Sequence, residues 1–161
     1  MTTAFLGLGS NLGDRLGRLT RAVAALGREG VVVTAISSVY ETEAVGPPQP
    51  DFLNAACRVE TDLAARELLA LIKRLERELG RGEGERWGAR EIDIDLLLYG
   101  EQSIDEEGLV VPHPELTKRA FVLVPVLEIE PFVELPSGEP LSAFLERDPK
   151  GIRSTEGTLG A

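Results

Sequence analysis

Ile92-Asp93-Ile94-Asp95-Leu96-Leu97-Leu98-Tyr99 decides how the rest of the chain is read. Apolar and acidic residues alternate there with a period of two, and a strand puts alternate residues on opposite faces. Ile92, Ile94, Leu96 and Leu98 are therefore expected to enter a core. Asp93 and Asp95 are expected on the other face, with Cα atoms about 6.5–7 Å apart, twice the rise per strand residue. Two carboxylates so placed repel unless a cation sits between them. Hard oxygen donors with no histidine or cysteine cluster beside them suit Mg²⁺ or Mn²⁺ better than zinc. The plain alternative is a half-exposed strand with a polar outer face. Aspartate fits strand interiors poorly, however, so two in one strand ask for a reason. Arg90, on the glycine-bounded loop just upstream, supplies positive charge beside them.

Working outward, Thr2–Gly9 is a short apolar run that reads as a strand. Leu16, Leu19, Val23 and Leu26 recur at three and four residues, the stripe of an amphipathic helix. Asn11 or Asp14 is placed to cap its start, and Gly27 or Gly30 to end it. The β-branched run Val31–Glu41 and then Phe52–Thr61 read as strands, separated by the stiff loop Gly46-Pro47-Pro48-Gln49-Pro50. Ala64–Leu79 reads as a helix with Leu68, Leu71, Ile72, Leu75 and Leu79 on one face. Gly80–Gly88, with four glycines, reads as a mobile loop. Leu109–Pro112 is a short extended piece. Ala120–Glu128 suits helix or strand, Pro125 weakening both, and Leu141–Arg147 suits a last short helix. Pro149–Ala161 lacks apolar periodicity and is expected to be a loose tail. The order β-α-β-β-α-β is the split βαβ of a ferredoxin-like α+β sandwich: an antiparallel or mixed sheet with helices packed on it, plus C-terminal additions.

Composition bounds the rest. The 161 residues fit one domain, taken as 1–161, which buries roughly two thirds of its unfolded surface. Apolar residues make up 43% and charged residues 27%, which excludes a disordered or fibrous chain. One cysteine, Cys57, excludes a disulfide scaffold and suits a reducing compartment. The first residues show no basic segment leading into an apolar one, and no apolar run nears the ~20 residues of a membrane span. A soluble, cytoplasmic protein is expected. A net charge of −10 argues against nucleic-acid or anionic-membrane partners. It does not argue against an anionic small molecule, because all but Lys73, Lys118 and Lys150 of the 17 basic residues are arginine, whose planar fork matches phosphate oxygens.

Three further segments carry candidate chemistry. Gly7-Leu8-Gly9-Ser10-Asn11-Leu12-Gly13-Asp14 looks like a phosphate loop but meets neither the dinucleotide spacing nor the Gly-Lys-Ser/Thr requirement. A tight strand-to-helix turn is the simpler reading. Pro112-His113-Pro114 pins the single histidine in a loop, where it can hydrogen-bond a phosphate oxygen or donate a proton if it lies near the metal. Phe52 and Phe121 are each most simply core residues. Brought together, they would stack on a planar ring, with Asn54 offering both a donor and an acceptor.

Taken together, Gly7-x-Gly9-Ser10-Asn11-Leu12-Gly13, Pro50-Asp51-Phe52-Leu53-Asn54-Ala55-Ala56 and Arg86-Trp87-Gly88-Ala89-Arg90-x-x-Asp93-Ile94-Asp95 resemble the 6-hydroxymethyl-7,8-dihydropterin pyrophosphokinases of folate biosynthesis. Val111-Pro112-His113-Pro114, followed by Arg119 and Phe121, matches in type and order. The resemblance spans about residues 4 to 145. It implies a ferredoxin-like fold and transfer of pyrophosphate from ATP to the pterin hydroxymethyl group, giving AMP. It implies Mg²⁺, two ions, on Asp93 and Asp95, with Arg81 and Arg90 stabilising the transferred charge. It implies ATP contacts from Lys73, Glu76, Arg86, Trp87, Arg90 and residue 96, here Leu96, with His113 and Arg119 on the phosphates. Phe52 and Phe121 would enclose the pterin, and Asn54, Thr42 and the backbone near Val45 would read its edge. Here Phe52 stands where other members carry tyrosine, and Gly82-Glu83-Gly84-Glu85 where some carry extra basic residues. A ferredoxin-like regulatory module that binds a small ligand without catalysis is the competing expectation. It needs neither the paired aspartates nor an arginine-bearing glycine loop.

Overall fold

A computed structural model describes residues 1–43, 50–81, 92–147, 149, 151–155, 157 and 159. The chain order is β1 (Thr2–Ser10), α1 (Arg15–Arg28), β2 (Val32–Ile36), β3 (Tyr40–Thr42), β4 (Phe52–Thr61), α2 (Ala65–Glu76), β5 (Asp93–Tyr99), β6 (Ile104–Glu106), β7 (Leu109–Val111), α3 (Ala120–Ile129) and β8 (Ile152–Ser154). The main sheet runs β5-β1-β4-β3-β8, with β2 also on β4, and every pairing is antiparallel. β1 lies between β4 and β5 as the split βαβ arrangement requires.

α1 and α2 cover one face of this sheet. Asp14 caps α1, its Oδ1 accepting from the Gly17 N–H at 3.1 Å. Asn11, the other candidate cap, instead donates from Nδ2 to the Pro50 carbonyl at 2.8 Å. Leu19 and Leu26 of α1 and Leu68, Ile72 and Leu75 of α2 are buried against Leu6, Cys57, Val59 and Ile94. Each such large apolar side chain contributes on the order of 1.5–3 kcal/mol. α2 closes in a turn over Arg77–Arg81, where Gly80 takes φ 116°, a conformation only glycine adopts readily.

α3 lies on the opposite face. Its Leu123 and Val126 join Phe5, Ala56, Leu97, Leu98, Leu116 and Leu141 in a second core. Pro125 does not prevent the helix. A segment so apolar is held by burial, which here outweighs the missing backbone donor.

Four expectations are corrected. Leu98 does not share a face with Ile92, Ile94 and Leu96: a bulge opposite Phe5 and Leu6 turns Leu98, with Leu97, to the second core and sends Tyr99 to the first. The predicted Val31–Glu41 strand divides into β2 and β3, on successive halves of β4. The last predicted helix is one 3₁₀ turn, Leu141–Phe144. The expected loose tail contains β8, paired with β3, and the buried Leu159. β6, which pairs with β7, had no clear sequence signal.

Candidate active site

The part of this second face that α3 leaves uncovered holds a cavity of about 630 Å³. Its floor follows from alternation along three strands. Gly7 and Gly9 of β1 lie opposite Asp95 and Asp93 of β5. On their other side they lie opposite Ala56 and Asn54 of β4. The two glycines leave the space above the sheet clear. A Cβ on Gly9 would stand 3.0 Å from Asn54 Oδ1 and 3.7 Å from the Phe52 ring, whereas one on Gly7 would meet Leu97 at an ordinary 3.5 Å.

Asp93 and Asp95 both line this cavity and both are half-buried. The expected same-face placement of the two carboxylates is therefore what the strand delivers. Asp95 Oδ1 lies 3.9 Å from His113 Nε2. The loop that carries His113 is tied to the same strand, its N–H donating to the Leu97 carbonyl at 2.9 Å. His113 Nδ1 accepts from the Glu115 N–H at 3.1 Å, which leaves the proton on Nε2, the nitrogen facing Asp95. The donor set is two carboxylates reached from an open cavity, oxygen ligands that fit Mg²⁺.

The other half of the cavity is aromatic and amide-lined. Phe52 from β4 and Phe121 from the first turn of α3 both reach it. Asn54 is buried and donates from Nδ2 to Thr42 Oγ1 at 2.6 Å, which fixes its amide toward the cavity beside Thr42. Arg119 sits 5.6 Å from the centroid of the Phe121 ring, with its Nε 3.8 Å from Glu115 Oε2, and with Lys118 it adds cations to the cavity lining.

α3 is held in this position by a clamp. Glu128 Oε1 accepts from the Tyr40 hydroxyl at 2.6 Å, and Oε2 accepts from the Ser38 N–H and hydroxyl, both at 2.9 Å. Burial, then the Glu128 carboxylate, pushes the Tyr40 hydroxyl up to about 12. Burial alone would raise Glu128, but the Tyr40 and Ser38 hydrogen bonds together hold its carboxyl below the usual range. Burial also pushes the Cys57 thiol up to about 12, as expected of an inert core cysteine.

The remaining sequence candidates divide. Glu76 is 2% exposed, and its Oε2 accepts from the Ile94 N–H at 2.8 Å, between the two aspartates. It holds β5 rather than standing open to a nucleotide. Lys73 is exposed one turn away, with Nζ 3.4 Å from Glu76 Oε1. The Leu96 side chain is buried in the first core. Arg86, Trp87, Arg90 and Val45 lie outside the described residues, and of Arg81 only the backbone is described. Sequence reasoning missed Lys118, Gly151 and Ile152 in the cavity wall. Only Lys118, next to Arg119, carried a usable signal.

The family model described as 7,8-dihydro-6-hydroxymethylpterin-pyrophosphokinase (HPPK) matches residues 5–131. The 2-amino-4-hydroxy-6-hydroxymethyldihydropteridine pyrophosphokinase of Aquifex aeolicus is 47% identical over 146 residues, covering 89% of this chain and 91% of the relative. That of Bacillus subtilis is 46% identical over 152 residues, covering 93% and 88%. Among solved structures, an HPPK-DHPS crystallised in complex with substrates superposes with a TM-score of 0.71 at 12% identity, over 89% of this chain and 42% of that one. A Plasmodium falciparum HPPK-DHPS triple mutant gives 0.70 at 16% identity, over 89% and 43%. At those identities the superpositions speak for the fold alone, and this chain spans about two fifths of each two-part chain.

Proposed function

We propose, for a chain that belongs to the 7,8-dihydro-6-hydroxymethylpterin-pyrophosphokinase family, that this cavity transfers pyrophosphate from ATP to the hydroxymethyl group of 6-hydroxymethyl-7,8-dihydropterin. The observation that carries the reading is one cavity that joins a carboxylate pair to a phenylalanine-flanked, amide-lined recess.

The pterin ring lies between Phe52 and Phe121, and Asn54, Thr42 and the backbone near Val45 read its edge. Its hydroxyl oxygen attacks the β-phosphorus of ATP and gives up its proton to solvent, the bond from that phosphorus to the α–β bridging oxygen breaks, and AMP departs. Asp93 and Asp95 would hold Mg²⁺, two ions in this reading. Magnesium, when bound, supplies neutralisation and alignment of the triphosphate for in-line displacement. His113 donates from Nε2 to a phosphate oxygen, and Arg119 holds a second phosphate from the mouth of α3. Arg81 and Arg90 stabilise charge on the transferred group. Lys73, Arg86 and Trp87 contact the nucleotide, while Glu76 acts through β5 as a positioning residue. No helix among the described residues is long and apolar enough to cross a membrane. The lone buried thiol of Cys57 suits the cytoplasmic setting we assign.

The deciding experiment mixes the protein with Mg-ATP and 6-hydroxymethyl-7,8-dihydropterin and separates the nucleotides. AMP and pterin diphosphate in equal amounts are expected. ADP would make the chain an ordinary kinase, and unchanged ATP would favour the non-catalytic module. Titrating Mn²⁺ binding in the presence of an unreactive ATP analogue counts the ions; one per chain would correct the two-ion assignment.

A further inference from the structure

β8 lies beyond residues 5–131, the span of the family match. Its three residues go to two faces. Ile152 pairs with Thr42, and Thr42 pairs with Phe52, so the three continue one row across three strands. All three line the cavity. Arg153, between them in register with Glu41, faces the other way, and there it is fastened. Its Nη2 donates to Glu41 Oε1 and to Asp51 Oδ2, each at 3.1 Å. Arg15 Nη1 closes the group, donating to Glu41 Oε2 at 2.7 Å and to the Asp51 carbonyl at 2.8 Å. The strand is also tied at both ends. The Glu43 N–H donates to the Gly151 carbonyl at 3.3 Å, and the Thr155 hydroxyl donates to the Val39 carbonyl at 2.8 Å.

From this arrangement we infer that β8 is a wall of the pterin half of the site, with Ile152 as a specificity-determining contact and Arg153 as the positioning residue that fastens it. The inference rests on the function proposed above. Sheet order makes it selective. β8 is four strands from β5, about 19 Å at the usual inter-strand spacing. A side chain there is beyond reach of phosphates held at Asp93 and Asp95. It is next to Thr42 and Phe52, where the flat heteroaromatic ring sits. Ile152 therefore gives apolar contact to one substrate and none to the other.

The test is steady-state kinetics of Ile152→Ala, Arg153→Ala and Arg153→Lys against both substrates, with AMP as the readout. Ile152→Ala should raise KM for the dihydropterin about fivefold, the scale of a partly exposed apolar contact, while KM for ATP and kcat stay within about twofold. Arg153→Ala should move the same constant in the same direction, and Arg153→Lys should recover part of it. Ile152→Ala breaks no ion pair, so it decides the matter should Arg153→Ala lose stability as well. A dihydropterin KM unchanged in Ile152→Ala, or both KM values rising together, overturns the inference. If the unaltered protein releases no AMP, the proposed function fails instead, and the two failures are distinguishable.

Discussion

On one side of β1, β4 and β5, Leu6, Cys57 and Ile94 are closed beneath α1 and α2. On the other side the same strands present Gly7, Gly9, Asn54, Asp93 and Asp95 to a cavity. The residues interleave one by one, so backbone geometry and strand pairing are common to both faces. Only side-chain chemistry differs. The closed face has side chains at close-packed density and tolerates little loss of volume. The open face carries two carboxylates, an amide and two positions with no side chain. The closed face makes the fold, and the open face is free to carry chemistry because the other supplies the stability. Substitutions on the two faces should therefore separate activity from stability.

The largest separation is expected at Asp95. Asp95→Ala should lower AMP release about 10³-fold, the several kcal/mol that charge neutralisation of a transferred phosphate represents. The melting temperature should hold or rise, since one of two like charges on a strand face is removed. Nucleotide chromatography and thermal unfolding check the pair. Normal turnover would remove the aspartate from the mechanism.

The mirror experiment is Leu68→Ala on the closed face, fully buried in α2. It should cost about 3 kcal/mol in denaturant unfolding. The kinetic constants of the folded fraction should stay unchanged. A fall in kcat at full folding would mean that the two faces are not independent.

Gly9→Ala sharpens the contrast within the open face. The added Cβ must displace Asn54 Oδ1 at 3.0 Å, and Asn54 is held by Thr42. KM for the dihydropterin should rise about tenfold, the cost of a misplaced polar partner. Gly7→Ala meets Leu97 at 3.5 Å and should change it far less. Equal effects at the two positions would sink the assignment of Asn54 to the ring edge.

Much of the fold was legible because Asp93 and Asp95 break an apolar run with a period of two, and because Leu68, Ile72 and Leu75 repeat as a helix must. What stayed hidden has physical causes. The bulge at Phe5–Leu6 is a pairing property of β1 with β5, so Leu97 and Leu98 looked like a simple continuation. β8 is three residues long, and its partner β3 lies more than 100 positions earlier, beyond the range of local pattern. Glu76 was named only as a nucleotide contact that the resemblance implied, because a buried carboxylate is recognised only once its donor, the Ile94 N–H, is in place. Asp93, Asp95, Asn54, Phe52 and Phe121 were nameable as chemistry, but only the sheet order brings them to one cavity.

The smallest effect concerns the clamp that keeps α3 over the open face. Glu128 has its carboxyl held below the ordinary value by Tyr40 and Ser38. A carboxyl lowered in the folded state adds stability that is complete above its unfolded value, about 4.3, and is lost as pH falls through the folded value. Glu41 is lowered in the same sense, by Arg15 first and then Arg153, so the unaltered protein should lose stability from both acids as pH drops below about 4.3. Glu128→Gln removes one of the two. Because Glu128 is exposed, its share is set at the level of a surface ion pair, about 0.5 kcal/mol. The variant should melt about 1–2 °C lower at pH 7, and the offset should shrink as pH falls below about 4.3. A constant offset across that range would show that Glu128 acts through shape and not through charge. Because the clamp seats α3, and with it Phe121, the same variant should raise the dihydropterin KM about twofold at pH 7, with ATP unaffected.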